Sequence, residues 1–430
     1  MEIYIPTVRM KDRKETKLNT KKLFNKDFTM VVAGQIISLF GNAVLRFALP
    51  LYLLKETGSA ALFGLVTACS FLPMIIFSLL GGVVADRVNK RNIMVVLDYS
   101  TALLVVVFSL LLGKAPLVPL FIVVMMLLYG IQGAYQPSVQ ASLPAIVEPG
   151  QLISANAVVN QVNSLSGLLG PVIGGMLYGA FGISSILAVS ILCFIVSATM
   201  EIFIHIPHER REVSGSALET AAADLKDSYL FIRDKQPVFF RIALVVTLFN
   251  MVLSAVMVIG LPVLLVEQLG VNDRLFGISQ GVMGLGGITG GILAGMLGNK
   301  LKIRKIYMTM FLCALCVAPM GIVMILGLPV MGCYLVITVL SLAGMSFSTI
   351  FAVQMLSYVQ MKTPKELVGK VIAAILAVST CAHPIGQSIY GVLFETFKDN
   401  AGWVMLLAAA AGAVTALLSA GTFRNLEEQI

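Results

Sequence analysis

Eleven residues, Gly81-Gly82-Val83-Val84-Ala85-Asp86-Arg87-Val88-Asn89-Lys90-Arg91, place one carboxylate among three bases at a break between apolar runs. The chemistry open to this stretch is a clasp and not a reaction. Asp86 can accept hydrogen bonds from the backbone N–H groups that open the following helix and can pair with Arg87 or Arg91. Gly81 and Gly82 allow a neighbouring helix to come close. A clasp of this kind stabilises one conformation of a gate; the alternative is a solvated loop that only sets topology.

A second constellation is Gly167-Leu168-Leu169-Gly170-Pro171-Val172-Ile173-Gly174-Gly175. Pro171 removes a backbone donor and kinks a helix, and Gly170, Gly174 and Gly175 flatten one face for close packing. The competing reading is a packing kink with no further meaning. Isolated polar groups at depth complete the set. Arg46 lies two turns from the end of its apolar run, where a charge must snorkel, pair or face water. It can contact an anionic substrate group or partner Glu267 or Glu395. His383, beside Pro384, can titrate near neutral pH or serve as a hydrogen-bonded structural residue. Asn42 and the amides Asn160, Gln161, Asn163, Asn250, Gln280, Gln354 and Gln387 either line a cavity or tie helices together. Paired carboxylates, a metal-ligand cluster or a nucleophile triad are not evident at depth, so no enzyme activity and no cofactor are expected. Cys69, Cys193, Cys313, Cys316, Cys333 and Cys381 sit in apolar runs, where Cys behaves as a small hydrophobe.

The elements that position these residues follow from hydropathy. Of the 430 residues 58% are hydrophobic and 12% charged, the mean hydropathy is +0.93, and the charges collect in short breaks. Each apolar run reaches the roughly 20 residues that cross a hydrocarbon layer as a helix. The runs give twelve spans: 28–54, 60–84, 93–113, 117–136, 155–178, 183–206, 238–266, 275–297, 306–327, 329–358, 371–394 and 402–423. An all-α integral membrane protein follows, with little chain left for a soluble domain. Basic residues near span ends resist translocation, and 25 of the 30 Lys and Arg fall on one side of the span pattern. Both termini are therefore expected on the cytoplasmic side of the cell (plasma or inner) membrane. The net charge of +8 reads as a topology signal, with no nucleic-acid partner. The basic first 20 residues lack the apolar core of a signal peptide.

The longest polar break, 207–237, separates six spans from six and carries a charged, helix-prone stretch near 221–232. Internal echoes point to duplication: Pro149-Gly150-Gln151-Leu152 parallels Pro364-Lys365-Glu366-Leu367, and Pro171 with Tyr178-Gly179 parallels Pro384 with Tyr390-Gly391. The expected organisation is a basic tail 1–27, a six-helix bundle 28–206, a central cytoplasmic loop 207–237, a second bundle 238–423 and a tail 424–430. In the second half, Gly295 stands where an aspartate equivalent to Asp86 would fall, so the clasp is one-sided.

The Gly81–Arg91 stretch resembles the loop signature of the major facilitator superfamily, and Gly170-Pro171-Val172-Ile173-Gly174-Gly175 resembles the antiporter-associated motif of its drug-exporting members. The chain from Phe28 to Phe423 is similar to the branch of macrolide efflux and enterobactin exporter proteins, carried by Gly34-Gln35-Ile36-Ile37-Ser38-Leu39-Phe40-Gly41, Thr57-Gly58-Ser59-Ala60, Leu72-Pro73 and Asp98. The resemblance implies two pseudo-symmetric six-helix bundles and export of amphipathic small molecules such as drugs, macrolides or siderophores by alternating access. Membrane lipid surrounds the carrier, a proton is the implied coupling ion and a monomer the implied state. Two departures weigh against the family's usual proton coupling: Asn42 stands where many members carry an acid, and Tyr129 where drug antiporters carry an arginine. An importer or lipid-moving carrier on the same fold, and a non-transporting membrane sensor, are the other readings. On the clasp reading, Asp86→Asn should reduce transport while leaving membrane insertion intact; normal flux would leave the loop a topology signal only.

Overall fold

The computed structural model describes residues 23–206, 226, 228–297, 303–364 and 367–427. Among them the chain is helical almost throughout. α1 (Lys26–Thr57), α2 (Ala60–Arg87), α3 (Lys90–Leu111) and α4 (Leu117–Ile146) precede one long stretch, α5 (Leu152–Ile202). Then follow α6 (Val238–Gln268), α7 (Asp273–Leu297), α8 (Tyr307–Ile325), α9 (Val330–Lys362), α10 (Val368–Thr396) and α11 (Ala401–Glu427).

These eleven helical stretches make twelve crossings. Gly182 sits inside α5 with φ 72° and ψ −170°, a conformation open to glycine alone, so the chain reverses there and residues 152–181 and 183–202 act as separate spans. The other reversals use ordinary helix-end chemistry. The Asn25 side chain accepts the Phe28 N–H at 2.9 Å and Asn89 accepts the Arg91 N–H at 3.0 Å, satisfying donors that a helix start leaves open. Gly58, with φ 58°, ends α1, and Ser59 caps α2 by accepting the Leu62 N–H.

Alternate crossings run in opposite directions, which defines two ends of the molecule: one holds the α1–α2 turn at Gly58, the other the α2–α3 turn at Lys90. Outward-facing positions are apolar, with Leu103, Leu110, Leu192, Val339 and Leu418 between 62% and 77% exposed. A surface this greasy is stable against lipid and not against water.

Several details differ from the hydropathy reading. α4 continues past Pro137 and Pro144 to Ile146, a full ten residues beyond the expected end, because prolines are tolerated where packed neighbours re-satisfy the freed backbone. α6 contains two wide π turns, Asn250–Ser254 and Val263–Gln268, which no periodicity reveals. Residues 207–225 lie outside the described residues; 228–234 are helical.

Packing is duplicated. α2 lies on α4 and α3 on residues 183–202 of α5; in the second half α7 lies on α9 and α8 on α11. Two seams join the halves, α2 against α10 and α5 against α7. Glycines set both. A Cβ on Gly175 would lie 2.6 Å from the Asp273 carbonyl oxygen, and one on Gly277 2.6 Å from that of Pro171. At the other seam, a Cβ on Gly64 would lie 2.6 Å from the Gln387 carbonyl oxygen. Backbones touch there because no side chain intervenes.

The Gly277→Val variant should force the α5–α7 seam apart, at a cost of about 1–3 kcal/mol for overpacking. A lowered melting temperature in detergent is the expected result; an unchanged one would show that the seam relaxes freely.

Candidate functional site

The seams meet around a cavity of about 120 Å³ whose walls include Arg46, Phe47, Thr67 and Tyr129 from the first half and Pro262 and Gln280 from the second. α1 delivers Arg46 and Phe47, and α4 delivers Tyr129. The Arg46 guanidinium carbon stands 4.3 Å from the centroid of the Tyr129 ring, a cation–π contact worth about 0.5–2 kcal/mol according to its desolvation. Arg46 has no carboxylate partner among the described residues.

Glu267 and Glu395, the carboxylates within reach on the sequence reading, are used elsewhere. Glu267 Oε1 pairs with Lys398 Nζ at 2.9 Å, and Glu395 Oε2 accepts the Ala61 N–H at 3.4 Å. This corrects the expected ion pair. Both acids lie nearer the Gly58 end, where Glu395 joins the halves through Ala61 and Glu267 holds Lys398 within the second half.

That end is closed by several contacts between the halves. Lys55 Nζ pairs with Asp273 Oδ1 at 2.5 Å, Lys398 Nζ donates to the Gly58 carbonyl at 3.1 Å, and Phe47 stacks on Phe276 with centroids 5.3 Å apart. Below the cavity, Phe71 packs on Tyr129 at 5.7 Å and stacks on His383 at 5.9 Å, planes 12° apart. An aromatic chain therefore runs from Arg46 through Tyr129 and Phe71 to His383, crossing from one half to the other. His383 Nδ1 has no hydrogen-bond partner.

The remaining expected site residues divide. Gln280 shares the cavity with Arg46. Asn42, one turn along α1, donates to Gln132 Oε1 at 2.6 Å and is buried, so it ties α1 to α4. Gln387 is fully buried at the α2–α10 seam with both amide atoms unpartnered. Asn163 accepts from Gln136 at 3.2 Å, which is interhelical glue, and Gln161 is exposed. Asn250 donates to the Ser379 carbonyl at 3.0 Å and lines a separate, mainly apolar recess of the second half with Phe249, Phe351 and Met355. Gln354 is half-buried and lines neither. The structure thus brings Arg46 and Gln280 to one cavity, sets His383 beside it through Phe71 and Tyr129, and disperses the rest.

Gly170, Pro171, Gly174 and Gly175 lie on the packed side of α5. A Cβ on Gly174 would stand 3.2 Å from Phe47 of α1, and Gly170 faces Ala43. This motif therefore fixes α5 against both α1 and α7. For the gate loop, α2 remains helical to Arg87; the side chains of Asp86 and Arg87, and the surroundings of Gly82, lie outside the described residues. Arg91 bonds Asn92 Oδ1 at 3.1 Å through its guanidinium. Sequence reasoning missed Gln132, Thr67 and Phe71, whose types carry no signal until α1, α2 and α4 are brought together.

The family model described as Major Facilitator Superfamily matches residues 31–387. The chain belongs to the major facilitator superfamily. Macrolide efflux protein A of Streptococcus pyogenes is 24% identical over 395 residues, covering 91% of this chain and 94% of that protein. The Staphyloferrin A transporter of Staphylococcus aureus is 20% identical over 271 residues, covering 63% and 65%. Among solved structures, the nucleoside transporter NupG superposes with a TM-score of 0.74 at 10% identity, covering 93% of this chain and 99% of that one. A bacterial homologue of the lysosomal transporter Spinster gives 0.69 at 14%, covering 94% and 98%. This major facilitator chain is a multi-pass membrane transporter and not an enzyme.

Arg46→Gln should shift selectivity away from anionic and towards neutral compounds, read by competition for transport of one labelled probe. An unchanged profile would leave Arg46 a packing partner of Tyr129.

Proposed function

We propose that this transporter exports amphipathic small molecules, of the macrolide or related secondary-metabolite class, by proton-driven antiport with alternating access. The carrying observation is the seam cavity: aromatic and apolar walls, one cation without a carboxylate, and a single amide. Such a lining suits a bulky molecule with a few polar groups better than a sugar or a small ion. The likeness to a macrolide efflux protein over nearly the whole chain supports the same substrate class.

The basic-residue count puts the Lys90 end in the cytoplasm and the Gly58 end outside. On that orientation the described state is closed to the outside by the Lys55–Asp273 pair and the glycine seams. Segments 28–206 and 238–423 are the two bodies that rock about the cavity in the inner membrane, as repeat-built carriers do. The Asp86 loop, at the opposite end, closes the cytoplasmic side in the other state. The tails 1–27 and 424–430 and the loop 207–237 are cytoplasmic, and the unit is a monomer in lipid. The substrate cavity takes in Arg46 and Gln280, with His383 reached through Tyr129 and Phe71 and with Asn42 as its brace.

Energised inverted vesicles carrying the protein should accumulate erythromycin, and a protonophore should abolish that accumulation. Depletion from inverted vesicles, or uptake only in right-side-out ones, would reverse the assigned direction. Accumulation that survives the protonophore would remove the proton as driving ion.

A further inference from the structure

Away from the cavity, four spans of the first half enclose two carboxylic acids. Asp98 of α3 is 2% exposed and Glu201 of α5 fully buried. Asp98 lies eight residues into its helix, about 12 Å along the axis. Ser38 donates to Asp98 Oδ1 at 2.8 Å, and the Tyr135 hydroxyl donates to Glu201 Oε1 at 2.6 Å. Asp98 Oδ2 and Glu201 Oε2 have no partner. Gln35, on the same face of α1 as Ser38, is fully buried, and neither its amide oxygen nor its amide nitrogen is bonded.

No cation compensates these acids among the described residues. α4 contributes Tyr135 to the cluster and α1 contributes only neutral Gln35 and Ser38. Tyr99, next to Asp98, turns outward to Thr199 at 3.1 Å. Asp27 is engaged by the His205 backbone N–H at 2.8 Å near the Lys90 end. Two ionised carboxylates buried here would be unpaired like charges, an arrangement proteins avoid by binding a proton. A proton on either free oxygen removes one of the two like charges and supplies a donor to the cluster. Among the described residues no three or more His, Cys, Asp or Glu side chains gather as a metal site would need.

The cluster is also joined to the cavity. On α1, Ser38, Asn42 and Arg46 follow at four-residue steps; on α4, Tyr135, Gln132 and Tyr129 follow at three-residue steps. The rungs between these helices are the acid cluster, the Asn42–Gln132 bond and the Arg46–Tyr129 contact. A substrate that takes Arg46 from Tyr129 therefore acts on the two helices that wall the acids. The acids themselves lie on α3 and α5, while Asn42 and Tyr129 form rungs of the ladder that leads to them.

We infer that Asp98 and Glu201 together form the site at which this carrier binds and releases its coupling proton, linked to the substrate cavity by the α1–α4 ladder. It rests on the proton-driven reading above. The proton leaves to water at one membrane face and is regained from the other; only the carboxyl O–H bond breaks and re-forms, and no electron is transferred.

The test uses the full chain in proteoliposomes, with erythromycin as probe. The wild-type protein should accumulate the probe under an imposed pH gradient. Asp98→Asn with Glu201→Gln should reduce that accumulation to the level of empty vesicles, while exchange of internal for external probe without a gradient persists. If the variant retains gradient-driven accumulation like the wild type, the acid pair is not the site and proton coupling stands elsewhere. If the wild-type protein exchanges probe but ignores the pH gradient, or follows sodium instead, the proton reading fails and the assignment with it. Should the double variant not fold, infrared difference spectra of the wild-type protein decide. A protonated carboxyl carbonyl band that disappears on probe addition supports the site, and its absence overturns it.

Discussion

The close approach of backbone to backbone at Gly175–Gly277 and Gly64–Gly391 holds the two halves of this transporter together. Inside a bilayer, apolar side chains gain little by leaving lipid for protein, so helices associate through van der Waals contact and hydrogen bonds. Glycine supplies the first by removing everything between two backbones. The α5–α7 and α2–α10 seams exist on that basis, and the cavity, the aromatic chain and the ion pairs at the Gly58 end are arranged around them.

These seams also explain why polar contacts concentrate near one end. Lys55–Asp273, Lys398–Glu267 and the Glu395–Ala61 bond lie where α1, α6 and α10 end and α2 and α7 begin. There charged groups keep partial access to water, so each pair contributes little singly. A closure built of short backbone contacts and weak ion pairs can be undone without breaking a hydrophobic core, as the proposed alternating access requires.

The twelve crossings, their approximate limits and the family were legible in the sequence because bilayer thickness imposes a length and a hydropathy that survive without any alignment. The exceptions have physical causes. The fifth and sixth crossings merge into α5 because one positive-φ glycine reverses the chain with no polar loop. The π turns of α6 leave no trace in composition. For the site, Arg46, Gln280 and His383 stood out as polar groups at depth; Arg46 and Gln280 share a cavity, and His383 lies beyond Phe71. The partners proposed for Arg46 did not join it, because distance along a helix says nothing about rotation around it. Glu201 passed unnoticed as a titratable group because it lies one residue from the end of α5, where a charge is ordinarily solvated; burial by α1 and Tyr135 is a tertiary fact.

By itself the amino-acid sequence determined that this chain spans a membrane as a bundle of helices and belongs among carriers, since solvation by lipid acts on each segment independently of the others. Which polar groups share a cavity, which acids are left without a cation, and which end is shut were decided only when helices distant in sequence packed together. Contacts such as Gly64–Gly391 or Ser38–Asp98 depend on the relative rotation and height of two helices, and no local property of either one encodes that.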